Sequence, residues 1–120
     1  MWRVVQTEEF GDWFNSLDVS AQEDILVAVR VLSEFGPTLG RPQVDTLKGS
    51  KHKNMKELRV QSRGRPFRIF FAFDPSRRAV LLVGGNKQGK SRFYETLLPQ
   101  ADKLFDEYLE DTKHERPKRK

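Results

Sequence analysis

Apolar residues recur along this chain with two periods, and the change from one to the other marks out its elements. Phe10, Trp13, Phe14 and Leu17 fall at i, i+3, i+4 and i+7, one face of a helix that Thr7 is placed to cap. Ile25, Leu26, Val29, Leu32 and Phe35 carry a second helical stripe. Ser20-Ala21-Gln22-Glu23 ahead of it reads as a capping box, with serine at N-cap and glutamate at N3. Gly36-Pro37 stops this helix, because glycine suits the position past the end and proline bars continuation. Residues 2–6 form a short strand candidate before both helices.

From there the pattern turns extended. Residues 38–50, with Gly40, Pro42 and Gly49, read as a connecting loop. Residues 55–61 and 67–74 read as the two strands of a hairpin. The segment 74–78 is a turn set by Pro75. Ala79-Val80-Leu81-Leu82-Val83 is a continuous apolar run, expected of a strand buried on both faces. A loop over 84–91 follows, then a short helix through Phe93, Tyr94, Leu97 and Leu98. Pro99 breaks that pattern, and Ala101, Leu104, Phe105, Tyr108 and Leu109 mark a final helix. The order β-α-α-β-β-β-α with short links predicts an α+β domain. Its sheet is antiparallel, with the two N-terminal helices on one face and a C-terminal helix besides. Residues 1–112 form the single domain, and 113–120 a basic tail expected to fray.

The hairpin carries the first candidate chemistry. With Arg63-Gly64 as a two-residue turn, Arg59 falls opposite Arg68, while Leu58, Val60, Phe67 and Ile69 point to the other face. Two like charges directly opposed on a sheet destabilise it. An anion between them removes the penalty, and the planar guanidinium suits phosphate. Lys53 and Lys56 at the start of the strand, and Lys87 after the next one, are expected on the same open face. That set suits a nucleic-acid backbone. The plainer reading is a solvated face whose arginines pair with Glu57 or Asp74. Tyr94 is placed to stack on a base or bond a phosphate, or else to join the core. Arg65 and Phe70 are further RNA-contact candidates. His52, in a lysine-rich loop, is a candidate proton-transfer group, although a solvated loop histidine is the commoner case.

Gly84-Gly85-Asn86-Lys87-Gln88-Gly89-Lys90-Ser91 matches the phosphate-binding pattern G-x-x-x-x-G-K-[ST]. Its surroundings argue against it. The upstream strands look antiparallel, and too little chain follows to build the parallel βαβ units that normally frame such a loop. Close backbone approach at a strand end is the simpler use of these glycines.

Composition narrows the field without choosing within it. The chain has 120 residues and a formal charge of +5, from 22 lysines and arginines against 17 acidic residues. An acidic partner fits that balance. There is no cysteine, and the two histidines, His52 and His114, lie far apart, so a metal site is not expected. The N-terminus lacks the pattern of a signal peptide, and no apolar run in the first half could cross a bilayer. A cytoplasmic location without membrane attachment is the expectation.

Four spaced motifs, taken together, resemble a known family. They are Leu47-Lys48-Gly49-Ser50, Asn54-Met55-Lys56-Glu57-Leu58-Arg59, the run from Phe67 to Pro75, and Leu81-Leu82-Val83-Gly84-Gly85-Asn86-Lys87. The chain resembles the HigB-like branch of the RelE/ParE toxin superfamily, which includes phage-derived homologues. The resemblance implies a microbial RNase-like fold. It implies a type II toxin that cuts mRNA on the ribosome, with no metal or other cofactor. It also implies a helix-turn-helix antitoxin, HigA-like, through which alone the toxin would meet DNA. Arg59 and Arg68 match the family's strand arginines, Lys87 a basic residue after the next strand, and Tyr94 a C-terminal aromatic position. The implied chemistry is attack by the substrate's own 2′-OH, with Lys56 or Lys53 as general base and His52, Tyr94 or an arginine as general acid. A gyrase-directed toxin of the ParE type, or a non-catalytic nucleic-acid-binding domain, is the alternative.

Overall fold

The computed structural model describes residues 1–113. His114 and nearly all of the expected basic tail therefore lie outside the described residues. The elements are β1 (Arg3–Gln6), α1 (Glu8–Asn15), α2 (Val19–Phe35), β2 (Val44–Thr46), β3 (Lys56–Ser62), β4 (Arg65–Phe73), β5 (Arg78–Asn86) and α3 (Phe93–Thr112). A single five-stranded sheet runs β1-β5-β4-β3-β2. β2, β3, β4 and β5 pair antiparallel, but β1 lies parallel to β5, Arg3 beside Arg78 through Gln6 beside Leu81. The sheet is thus mixed rather than wholly antiparallel. The two helices between β1 and β5 provide the crossover that a parallel pair needs.

Two apolar layers sandwich the sheet. Phe10, Ile25 and Leu32 of α1 and α2 pack with Leu58, Val60, Phe67, Ile69 and Phe71 on one face. Phe93, Ala101 and Phe105 of α3 pack with Met55, Phe70, Val80 and Leu82 on the other. Alternation along each strand divides the two sets. The face expected to stay open is therefore partly roofed by α3.

Several boundaries differ from the sequence expectation, each for a physical reason. Thr7 does cap α1, its hydroxyl accepting from the Phe10 amide at 3.0 Å. The cap of α2, however, is Asp18, not Ser20. Ser20 sits inside the helix and donates to the Asp18 carboxylate at 3.2 Å. Gly36 ends α2 at φ 57°, where a Cβ would fall 2.4 Å from the Trp2 ring. The loop after it holds an unexpected edge strand, β2, paired with β3. The last helix is not split at Pro99. Leu97, Ala101, Leu104, Phe105 and Tyr108 form one continuous stripe across that position, and all pack against the sheet cluster. Pro99 is exposed, and so is Glu95, whose carbonyl it leaves without a helical partner. The packed stripe outweighs the roughly 3 kcal/mol that an interior proline costs.

Asp74 pins the far half of α3. Its carboxylate accepts from the Ser76 and Arg78 amides, from Arg78 Nε at 2.8 Å and from the Tyr108 hydroxyl at 2.7 Å. Burial pushes this carboxyl's pKa up, but the bonds from Tyr108 and Arg78 outweigh it and hold it below the ordinary value.

Candidate functional site

The β3–β4 turn has the two-residue form its sequence demands, Arg63 at φ 51° and Gly64 at φ 76°. That fixes the register, and Arg59 lies directly opposite Arg68. The anion between them is supplied by the protein. Glu57, two residues before Arg59 and so on the same face, is buried at 3% exposure. Its Oε2 lies 3.1 Å from Arg59 Nη2 and its Oε1 3.7 Å from Arg68 Nε. The arginines therefore do pair with Glu57, the plainer of the two readings. Asp74, the other candidate partner, is engaged elsewhere.

The rest of the site closes around this carboxylate. Asp45 on β2 reaches Arg59 Nη2 at 3.2 Å. Arg68 Nη1 donates to the Phe67 carbonyl at 3.0 Å, while its buried Nε has no hydrogen-bond partner. Tyr94, in the first turn of α3, donates to Glu57 Oε1 at 2.6 Å. Burial raises the Tyr94 pKa, and the Glu57 carboxylate raises it further, so the phenol keeps its proton. Lys87 Nζ sits 5.6 Å from the Tyr94 ring centroid, within cation–π range. Beside these groups a 290 Å³ depression is lined by Pro42, Gln43, Arg59, Gln61 and Arg68. Asp45 is shared with Arg41, 3.9 Å away, so Arg41, Arg59, Arg68 and Lys87 stand around the two carboxylates and cations outnumber them.

Arg59, Arg68, Lys87 and Tyr94 come together; the other candidates do not join them. Lys56 lies on the Leu58–Val60 face, and its ammonium donates to Thr46 Oγ1 at 3.1 Å. Lys53 is exposed in the bend before β3. His52 Nε2 lies 2.7 Å from Asp106 and its ring packs edge-on to Phe105, tying its loop to α3. Arg65 is on the N-terminal-helix face, 3.1 Å from Asp18. Phe70 is fully buried between Phe93 and Tyr94, so its ring offers no face to a base. Glu57 and Asp45 went unnamed as site residues in the sequence. Strand alternation alone places Glu57 beside Arg59; Asp45 sits on a strand that gave no sequence signal.

The phosphate-loop pattern is absorbed by packing. Gly84 and Gly85 belong to β5, opposite Ile69 and Arg68 of an antiparallel neighbour. A Cβ on Gly84 would meet the Trp13 ring at 2.4 Å, and one on Gly85 the Phe93 ring at 2.8 Å. The glycines let an aromatic ring settle on each face of the strand.

This arrangement is that of a small RelE-fold domain. The isolated RelE toxin of E. coli superposes with a TM-score of 0.58 at 11% identity, over 81% of this chain and 96% of that one. Residues 12–106 match the family described as phage derived protein Gp49-like (DUF891). The chain is 50% identical to "Putative toxin HigB2" of Mycobacterium tuberculosis (strain ATCC 25618 / H37Rv), over 98% of its own length and 61% of that relative's. It thus spans about three-fifths of that protein. It is 45% identical to "Putative toxin HigB3" of the same strain, over 88% of this chain and 92% of that one. The chain belongs to the Gp49-like family, and the relatives it matches carry the name HigB.

Proposed function

We propose that this chain is the toxin of a toxin–antitoxin pair and that it cleaves mRNA on the ribosome without a metal ion. The observation that carries the reading is the opposed pair Arg59 and Arg68, held by Glu57 beside Tyr94 and Lys87. A protein carboxylate already offsets the repulsion, so the arginines are preorganised before any substrate arrives. A backbone phosphate entering the depression meets guanidinium groups already in position.

In this reading the 2′-OH attacks the adjacent phosphorus and the bond to O5′ breaks, leaving a 2′,3′-cyclic phosphate and a 5′-hydroxyl. Arg59 and Arg68 stabilise the charge that develops on the phosphoryl oxygens. Lys87, as an ammonium, can donate a proton to the departing O5′. Tyr94 keeps its proton and acts as a hydrogen-bond donor. Lys56 and Lys53 stand apart from the arginines, which leaves Glu57 and Asp45 to accept the 2′-OH proton. Asp45, with a side chain 35% exposed, is the more open of the two.

The partner in this reading is a helix-turn-helix antitoxin. Val19, Leu26 and Val27 are 67%, 57% and 64% exposed on α2. Helical geometry sets them within an arc of roughly 100°, a surface for the apolar core of that contact. The enzymatic part is tested by incubating the purified chain with ribosomes carrying a defined message, with and without a chelator. Cleavage in both conditions, ending in 2′,3′-cyclic phosphate, supports it; intact message in both contradicts it.

A further inference from the structure

A second cavity lies outside the arginine site. It has a volume of 660 Å³ and opens between α1, the end of β5 and the start of α3. Trp13, Phe67, Phe93 and Leu97 give it apolar walls, and Gly84 and Gly85 a floor without side chains. Lys90 and Arg92, both exposed, stand at its rim, and neither side chain is ion-paired among the described residues. Arg65 also lines it but is engaged with Asp18. The volume suits one small organic group, and the rim calls for an anionic one.

The cavity adjoins the arginine site. Gly85, in its floor, is the register partner of Arg68. Phe93, in its wall, packs edge-on to Tyr94 at 5.3 Å between centroids. Residues 87–92 divide the two, with Lys87 over Tyr94 on one side and Lys90 and Arg92 on the other. A polyanion crossing that segment meets cations on both sides of it.

From this geometry we infer that the cavity is a nucleotide subsite, holding the base of a nucleotide near the scissile phosphate. Trp13, which is only partly buried, supplies aromatic surface for the base, and Lys90 and Arg92 contact its phosphate. The inference rests on the RNA-cleavage reading above and deepens it. It also gives Lys90 a use unlike that of a nucleoside-triphosphate loop, since the base is held by packing and no magnesium is involved.

The test reads binding alone, so it does not depend on cleavage. The chain has two tryptophans, and only Trp13 lines the cavity; Trp2 packs on Phe73. Two indole N–H signals in a ¹H–¹⁵N spectrum, assigned with Trp13→Phe, therefore report on separate places. The full chain is titrated with each of the four nucleoside 5′-monophosphates and, separately, with inorganic phosphate. At least one nucleotide should shift the Trp13 indole and the Gly84 and Gly85 amides while leaving the Trp2 indole in place. Lys90→Ala combined with Arg92→Ala should weaken that binding at least about fivefold. Two results would overturn the inference: no shift by any nucleotide at millimolar concentration, or equal shifts with inorganic phosphate. Cleavage of mRNA combined with either of these sinks the subsite and leaves the RNase reading intact. Nucleotide binding without cleavage does the reverse.

Discussion

Tyr94 donates a 2.6 Å hydrogen bond to Glu57, joining the first turn of α3 to the carboxylate that spaces Arg59 and Arg68. Helix, ladder and candidate site are thereby one unit, and a change at any of the four residues reaches the others.

Tyr94→Phe removes this bond and leaves a buried carboxylate oxygen short of a donor. A loss of about 1–2 kcal/mol at neutral pH is expected by chemical denaturation. The folded phenol's pKa is raised by burial and by Glu57. Its stabilising effect is therefore complete below the ordinary tyrosine value of about 10 and fades as pH rises through the folded value. Tyr94→Phe should lose less stability than the parent chain between pH 7 and pH 11. An equal loss in both would show that Tyr94 does not titrate as its surroundings require.

Glu57 and Arg68 should behave as a coupled pair. Glu57→Ala leaves two arginines opposed with no carboxylate between them, at a cost of about 3–5 kcal/mol in a thermal or chemical melt. Arg68→Ala keeps the Glu57–Arg59 contact and should cost less, while lowering cleavage roughly 10²–10³-fold. The double variant should be more stable than the sum of the two losses predicts. Strict additivity would mean that Glu57 does not serve to separate the arginines.

Gly84→Ala tests what the glycines are for. A methyl group 2.4 Å from the Trp13 ring forces α1 to move, at an expected cost of about 1–3 kcal/mol. A melt unchanged from the parent would remove the packing explanation.

An acid-side prediction comes from Asp74. Its folded pKa is held below the ordinary carboxyl value, so its contribution is present above about pH 4 and lost as pH falls through the folded value. Asp74→Asn should lower stability at pH 7 and flatten the decline toward pH 2. An acid limb as steep as the parent's would contradict the Tyr108 and Arg78 contacts.

Much of this was legible in the sequence, and the rest fails for identifiable reasons. The hairpin register was readable because Arg63-Gly64 admits one turn geometry, and that alone placed Arg59 against Arg68. Grouping Lys56 with the arginines overlooks strand alternation, which sends it to the other face. Phe70 is covered by Phe93 and Tyr94, whose packing onto β4 is a tertiary contact that no local pattern reports. Pro99 suggests a helix break that the structure does not have. Local propensity disfavours proline there, and the apolar stripe on both sides of it decides otherwise. β2 leaves no mark in the sequence, because a three-residue edge strand beside Pro42 has no periodicity. The parallel pairing of β1 depends on a partner more than 70 residues away, which no local pattern reports.

The central claim, cleavage of translated mRNA through the arginine pair, is tested most directly by mapping 5′ ends across cellular transcripts after brief induction. The parent chain and Arg68→Ala are compared. The account predicts new ends inside translated reading frames, in phase with codons, for the parent chain and none for a folded Arg68→Ala. DNA breaks with intact transcripts would point to a gyrase-directed toxin instead. Equal cleavage by parent and variant would contradict the role given to Arg68.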